Sequence, residues 1–389
     1  MTGFYIAQLT DIHLGEGLNP KEARRNLRWA LAEIASLSPT LELIVVTGDL
    51  VCAGRRSELT EYAELIAECA LPVYALPANH DLWGEADQSA WLETVGPLGQ
   101  AVDVCGVRIL LWNDVQRQPD GGWRAVMEGE QREWLSGEMD RASGAPLLLA
   151  QHAPILRIGD DYHEYWRASN APELLEMIAQ HNVLAMLTGH WHRNAEWTEH
   201  GTRIINSGAL CGWQYNGTPP HMCFPTRPGY RLFYFDGETL RTFWRDGSYW
   251  DTEAPTVQVM ARDIGGAYTG GPRPQVRMAE ISGPSELTVL TYAHEGTVDR
   301  VEWSLVRDDW RPMTRTFEGL WSEWTADIDP SEFRPKGEHE CAVRAETTTQ
   351  GEAYDAVPVR LAERECVATS SCTAYAGRET TLDLFYRPE

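Results

Sequence analysis

Lysine is almost missing from this chain. Of 33 basic residues, only Lys21 and Lys336 are lysines and the rest are arginines. Neither ends a glycine-rich loop followed by Ser or Thr, which excludes a P-loop nucleotide site. A Schiff-base mechanism likewise has little to draw on. No apolar run approaches the ~20 residues a bilayer requires, so no membrane span is expected. No two of the eight cysteines are spaced C-x-x-C, which argues against a structural zinc knuckle. The segment Phe4-Tyr5-Ile6-Ala7-Gln8-Leu9 reads as a strand and lacks the basic and apolar regions of a signal peptide, so the expected compartment is the cytoplasm. Without such a signal the cysteines read as free thiols, although Cys366 and Cys372 are close enough in sequence to bridge in a tail loop. Positive charge is also scarce: the 33 basic residues face 57 acidic ones, for a formal charge of -24. Such a surface repels phosphate backbones and anionic membranes, and long nucleic acids are poor partners for it. At 389 residues with 43% hydrophobic content, the chain is long enough for two or three globular domains.

The first half alternates short apolar runs with amphipathic stretches. Asn19-Pro20 can cap and open a helix. Leu27, Ala30, Leu31, Ile34 and Leu37 then recur at helical spacing. Leu43 to Val46 is a buried strand by length and β-branching. Ser57 starts a second helix with Tyr62, Leu65, Ile66 and Cys69 on one face. Val73 to Leu76, Val107 to Trp112, Leu147 to Ala150 and Val183 to Leu187 follow as further strands. This is an α/β pattern with strands buried on both faces. From about Gly201 the pattern turns to strands alone, with Asp236-Gly237 as a turn between Arg231 to Phe235 and Thr239 to Trp244. The expected domains are a catalytic domain over 1–250, a β-sandwich over 256–361 that reads as immunoglobulin-like, and a tail over 362–389. Trp303, Trp310, Trp321 and Trp324 concentrate in the sandwich, where core packing is the simplest account of them.

The residues that carry chemistry stand at strand ends. Asp11 and His13 follow the first strand as Asp-x-His. Asp49 follows the second as Gly-Asp, and Asn79-His80-Asp81 follows the third. His152 follows Leu147 to Ala150, and His190 and His192 follow Val183 to Leu187 as Gly-His-x-His. In an open parallel sheet the carboxyl ends share one edge, so five strand ends deliver oxygen and imidazole donors to one place. Carboxylate, imidazole and amide donors suit Mn, Fe or Zn, and a carboxylate can bridge two ions. Two such ions can clamp phosphoryl oxygens and activate a hydroxide for in-line attack.

These motifs, in this order, resemble the calcineurin-like metallophosphoesterase superfamily over roughly residues 4–245. The resemblance implies a four-layer αββα sandwich. It also implies that Asp11, His13, Asp49 and His192 hold one metal and that Asp49, Asn79, His152 and His190 hold the other, with Asp49 bridging. By the same pattern His80 contacts the scissile phosphate and protonates the leaving oxygen, and Asp81 lies nearby to orient it. The spacings are similar to those of class III cyclic nucleotide phosphodiesterases and glycerophosphodiesterases. Cys52 stands where purple acid phosphatases carry an iron-binding tyrosine, and the Gly-Asp-x-x-Asp-Arg-Gly pattern of the Ser/Thr protein phosphatases is absent. Two positions depart from the usual pattern: Ala78 replaces a glycine before Asn79, and Gln151 replaces a histidine before His152.

The expected function is therefore hydrolysis of a phosphodiester in a small substrate by a metal-activated hydroxide at two divalent transition metal ions. A phosphomonoesterase or nucleotide pyrophosphatase shares the same centre and is the alternative. A catalytically silent scaffold fits poorly, because all seven ligand positions and His80 are present. The loop Leu156 to Asn170 is a candidate cover for the substrate. Trp213 and Tyr215 are candidate stacking residues, although core packing accounts for them as readily. The sandwich is the candidate surface for oligomerisation.

Overall fold

A computed structural model describes residues 3–15, 20–37, 39–82, 84, 88–118, 121–155, 168–192, 194–199, 201–212, 228–247, 256–259, 279–281, 283–293, 295–306, 309–334, 336–349 and 351–361. The chain splits into two compact units, Met1–Ser248 and Tyr249–Arg387. The loop over 156–167, Trp213, Tyr215, Cys366, Cys372 and the tail over 362–389 lie outside the described residues. No described helix is long and apolar enough to cross a membrane.

The first unit is mixed α/β. Its elements run β1 (Phe4–Leu9), α1 (Pro20–Ser36), β2 (Leu43–Val46), α2 (Arg56–Ala67), β3 (Val73–Ala75), α3 (Ser89–Thr94), β4 (Gly99–Val104), β5 (Val107–Trp112), β6 (Val115–Arg117), β7 (Trp123–Ala125), α4 (Gly129–Arg141), β8 (Leu147–Ala150), α5 (Ala171–Ile178), β9 (Val183–Thr188), β10 (Ala195–Glu199), β11 (Thr202–Asn206), β12 (Gly229–Phe235) and β13 (Leu240–Asp246). They build two principal sheets, ordered β13-β12-β1-β2-β3 and β10-β11-β9-β8-β5-β4. Strands β1, β2 and β3 are parallel, as are β5, β8, β9 and β11. The strand ends come from two sheets, as the αββα expectation implies, and not from the one edge of a single open sheet.

Alternation along each strand explains the layering. Phe4, Ile6, Leu43, Val45 and Phe233 of the first sheet share one core with Ile109, Leu111, Leu148, Ala150, Ala185 and Leu187 of the second. The intervening residues Leu110, Trp112, Leu149 and Met186 point the other way, onto Leu135 and Met139 of α4 and Leu174 and Ile178 of α5. A strand buried on both faces is apolar at most positions, which is why these runs lack polar alternation. Of the expected stripe, Leu27, Ala30, Leu31 and Ile34 are buried on α1, while Leu37 falls just past the end of the helix and is half-buried. In α2 the start falls one residue before Ser57, and the helix is preceded by Arg55, whose N–H donates to Glu58 Oε2 at 3.1 Å. The Asp236-Gly237 turn closes the hairpin of β12 and β13, with Phe235 paired to Leu240.

The second unit is all-β among its described residues. It comprises β14 (Thr256–Val259), β15 (Ala279–Ile281), β16 (Ser285–Tyr292), β17 (Val298–Ser304), β18 (Arg311–Pro312), β19 (Thr314–Glu318), β20 (Ser322–Ile328), a single 3-10 turn at Pro330–Glu332, β21 (Gly337–Thr347) and β22 (Gly351–Leu361). The sheets are ordered β14-β16-β20-β19 and β15-β22-β21-β17-β18. Leu287, Val289 and Trp324 from one share a core with Val301, Trp303, Cys341 and Val343 from the other, as in a β-sandwich. Trp303, Trp321 and Trp324 are buried, and Arg344 stacks over Trp310 with 4.4 Å from its guanidinium carbon to the ring centroid.

Candidate metal centre

The carboxyl ends of β1, β2 and β3 meet those of β8 and β9 at one place. A buried polar seam beneath them ties the two sheets together. Gln8 on β1 donates through Nε2 to Thr47 Oγ1 at 2.8 Å and to the Thr188 carbonyl of β9 at 3.1 Å, and Ser207 Oγ donates to Gln8 Oε1 at 2.7 Å. Glycines allow the loops to approach this closely. A Cβ on Gly48 would stand 2.6 Å from Ala78 Cβ and 2.8 Å from His152 Nδ1, and one on Gly189 would stand 2.0 Å from Thr10 Oγ1. The glycine of Gly-Asp and the first residue of Gly-His-x-His are therefore steric requirements.

The backbone itself is bent into the site. Seven described non-glycine residues have positive φ, and five of them are Asp11, His13, Asp49, His190 and His192, at 51° to 69°. Each such conformation costs an L-residue on the order of 1 kcal/mol, and such strain persists only where surrounding structure over-determines it.

The side chains of these residues converge. His13 Nε2 lies 3.2 Å from His192 Nε2 and 3.5 Å from Asp49 Oδ2. His192 Nε2 lies 3.2 Å from Asp11 Oδ1. On the other side of Asp49, His152 Nε2 is 3.3 Å from the same Oδ2 and 3.1 Å from His190 Nδ1. One carboxylate oxygen is thus shared by two groups of imidazoles. Donors on one tetrahedral ion, with bonds of ~2.0–2.3 Å, stand roughly 3.3–3.6 Å apart, which is close to these spacings. The orientation of His152 fits as well. Its Nδ1–H donates to the Thr47 carbonyl at 2.8 Å, leaving the Nε2 lone pair toward the cluster, an arrangement common for imidazole ligands. Asp11 Oδ1 and Asn79 Oδ1 are buried and have no hydrogen-bond partner among the described residues. Leaving such atoms unsatisfied is costly unless a cation faces them. The residues present therefore fit divalent metal ions.

Protonation follows the crowding. Burial lowers His13 well below the ordinary imidazole value, with His80 and His192 adding to the effect. Burial and the neighbouring His152 do the same to His190. For His152 burial also acts downward, but Asp49 outweighs it and pushes the group up to about 10. Burial opposes the charge on Asp49, yet His152, His80 and His13 hold its carboxyl well below the usual range. Burial, reinforced by Asp11, pushes the Cys211 thiol well up.

His80 is half-buried beside this cluster. A ring nitrogen of His80 and one of His13 lie within 4.8 Å of each other and of an Asp49 oxygen. Its Nδ1–H donates to the Cys52 carbonyl at 2.7 Å, and its backbone N–H donates to Asp49 Oδ1 at 3.1 Å. The group that orients the ring is thus the Cys52 carbonyl. Asp81 takes a different place from the one the sequence implied: Oδ1 accepts from Val51 N at 3.1 Å and Oδ2 from Ala78 N at 2.9 Å. It braces the loops after β2 and β3. Gln151 turns its amide back onto the Ala153 carbonyl.

Sequence reasoning missed three contributors. Thr10 Oγ1 donates to Asp11 Oδ2 at 2.8 Å. Asp114, just past β5, accepts from His152 N and Ala153 N, each at 2.9 Å, and so fixes the loop that carries His152. Its one sequence signal is an Asn-Asp pair closing a buried strand. Cys211 joins His13 and His192 in a third group of donor atoms, and no ligand spacing in the sequence marks its thiol.

The chain is similar to known proteins in sequence and in fold. Residues 4–194 match the calcineurin-like phosphoesterase family. A probable glycerophosphodiester phosphodiesterase of Arcobacter nitrofigilis is 25% identical over 199 residues, 48% of this chain and 71% of the relative. A 3',5'-cyclic adenosine monophosphate phosphodiesterase of Pseudomonas aeruginosa is 26% identical over 231 residues, 58% of this chain and 83% of the relative. A dimetal phosphatase from Danio rerio shares the fold, with a TM-score of 0.50 at 14% identity, covering 62% of this chain and 96% of that chain.

Proposed function

We propose, from the premise that residues 4–194 form a calcineurin-like phosphoesterase domain, that this enzyme hydrolyses a phosphodiester in a small substrate at a two-ion centre. The domain is a metal-dependent phosphoesterase. The observation that carries the two-ion reading is the position of Asp49 Oδ2, 3.5 Å from His13 Nε2 and 3.3 Å from His152 Nε2. Asp11, His13 and His192 are the ligands on one side of Asp49. Asn79, His152 and His190 are those on the other. Bound divalent ions of the Mn, Fe or Zn type supply Lewis acidity toward phosphoryl oxygens and lower the pKa of water.

The chain's own residues do the rest. Asp49 fixes the spacing of the two ligand groups and holds the backbone of His80. The Cys52 carbonyl holds Nδ1–H of His80, so Nε2 is the ring nitrogen left to serve the departing oxygen as proton donor. Asp81 keeps the loops under Asp49 and His80 in register.

Two considerations favour a diester. A monoester dianion brings extra charge toward a protein of formal charge -24. Among the relatives are proteins named as cyclic nucleotide and glycerophosphodiester phosphodiesterases. The test is a rate panel in Mn²⁺ with bis-p-nitrophenyl phosphate, p-nitrophenyl phosphate, cyclic AMP, glycerophosphocholine and a dinucleotide. A kcat/KM for the diester above that for p-nitrophenyl phosphate is expected. The reverse ranking would replace this reading with a phosphomonoesterase.

A further inference from the structure

Cys211 sits in the turn after β11, and two backbone bonds fasten that turn to the first ligand loop. Leu210 N donates to the Thr10 carbonyl at 2.9 Å, and Cys211 N donates to the Asp11 carbonyl at 3.1 Å. The thiol is thereby delivered to the side of the cluster formed by the first ligand loop. Cys211 Sγ and one ring nitrogen each from His13 and His192 all lie within 4.8 Å of one another. A second observation points to the same spot. Asp11 is fully buried, its Oδ1 has no hydrogen-bond partner among the described residues, and that oxygen stands 3.2 Å from His192 Nε2 and 3.9 Å from His13 Nε2. Two imidazoles, an orphaned carboxylate oxygen and a sulfur therefore surround one position.

We propose that Cys211 supplies a thiolate ligand to the ion held by Asp11, His13 and His192. The inference rests on the metal reading of those residues and deepens it. The thiol is not committed elsewhere in a way that resists this: its bond to the Gly212 carbonyl at 3.5 Å comes from a weak thiol donor. Cys52 provides the contrast. It follows Asp49 closely in sequence, but its Sγ donates to the His13 carbonyl at 3.1 Å and it belongs to none of the donor groups. On coordination the S–H bond of Cys211 breaks, its proton passes to solvent, and a metal–sulfur bond forms with no change in oxidation state. A thiolate is a soft donor, so this half of the centre prefers Zn²⁺, Co²⁺ or Fe²⁺ over Mn²⁺ or Mg²⁺. The other half, built from carboxylate, amide and imidazole alone, carries no such bias.

Loading the full-length, metal-stripped protein with Co²⁺ separates the possibilities. The expected result is two cobalt ions per chain, visible ligand-field bands, and a near-ultraviolet sulfur-to-cobalt charge-transfer band that saturates with one of the two ions. Cys211→Ser keeps the ligand-field bands and loses the charge-transfer band, whereas Cys52→Ser keeps both. X-ray absorption of the zinc-loaded wild-type protein gives a check that needs no variant: about half a sulfur per zinc at ~2.3 Å. Two bound ions with no charge-transfer band, a band that survives in Cys211→Ser, or no sulfur in the zinc shell each overturns the proposal and leaves the two-ion reading standing. A protein that binds no cobalt overturns both.

Discussion

The two units of this chain solve the burial of polar groups in opposite ways. In the β-sandwich the shared core is apolar, Cys341 included, and ion pairs such as Arg300 with Glu346 and Arg360 with Glu338 lie at exposed side chains, while Arg344 with Glu302 is partly covered. In the first unit, aspartates and histidines are buried together at strand ends, Asp11 Oδ1 and Asn79 Oδ1 have no hydrogen-bond partner among the described residues, and five of the residues involved adopt left-handed backbone. None of the described sandwich residues other than glycine has positive φ. A protein tolerates strain and unsatisfied polar atoms where something else repays them. The contrast marks the first unit as the one built to hold cations.

Substitutions on either side of the contrast should behave differently. The largest effect on turnover among three tests is expected at His80. His80→Ala should keep its metal content and lose ~10²–10⁴-fold in rate on an alkyl diester, with a smaller loss on a nitrophenyl diester, whose leaving group departs without a proton. Equal losses on the two substrates, measured as kcat, would remove the proton-donor role.

A subtler effect follows from His152 in the metal-free protein. Its folded value is raised to about 10 because Asp49 outweighs burial, while the unfolded value is about 6.5. The folded state therefore holds this proton more tightly. The stabilisation it brings is complete below about pH 6.5 and is lost as pH rises toward 10. His13 and His190, lowered by burial, act in the window below 6.5 instead. Chelator-treated protein should thus show a Tm that falls across pH 7–9, and His152→Gln should flatten that slope. An unchanged slope in the variant would detach His152 from Asp49.

The smallest effect on the site is expected from the sandwich core. Trp303→Ala opens a cavity at a buried position and should cost ~3–5 kcal/mol in thermal or denaturant unfolding. The bound metal of whatever remains folded should be unaltered. A metal loss in Trp303→Ala at a temperature where the protein is still folded would break the division between the two units.

Much of this was legible before any coordinates. Apolar runs of four to six residues marked β1, β2, β5, β8 and β9, because a doubly buried strand has no room for polar alternation. The same runs pointed to the residues that follow them, and Asp11, His13, Asp49, His152, His190 and His192 do meet in space. The parts that escaped are those that depend on register and on backbone shape. That β1 and β8 lie in different sheets is set by pairing between distant strands. Asp114 differs from any turn aspartate only in that its oxygens fall opposite the N–H groups of His152 and Ala153. The partner that orients His80 is a carbonyl, that of Cys52, and main-chain groups carry no sequence signal. Cys211 belongs to no ligand motif, and its thiol reaches the cluster only through the backbone bonds of Leu210 and Cys211 to the first ligand loop.

Everything above turns on Asp49, whose Oδ2 stands between the two imidazole groups at 3.5 Å from His13 and 3.3 Å from His152. The direct test is metal analysis of purified wild-type protein and Asp49→Ala after equilibration with Mn²⁺ or Zn²⁺ and removal of loosely bound ions. The account predicts two ions per wild-type chain and the loss of both in Asp49→Ala, with folding confirmed by circular dichroism. A folded Asp49→Ala protein that retains two ions would contradict it.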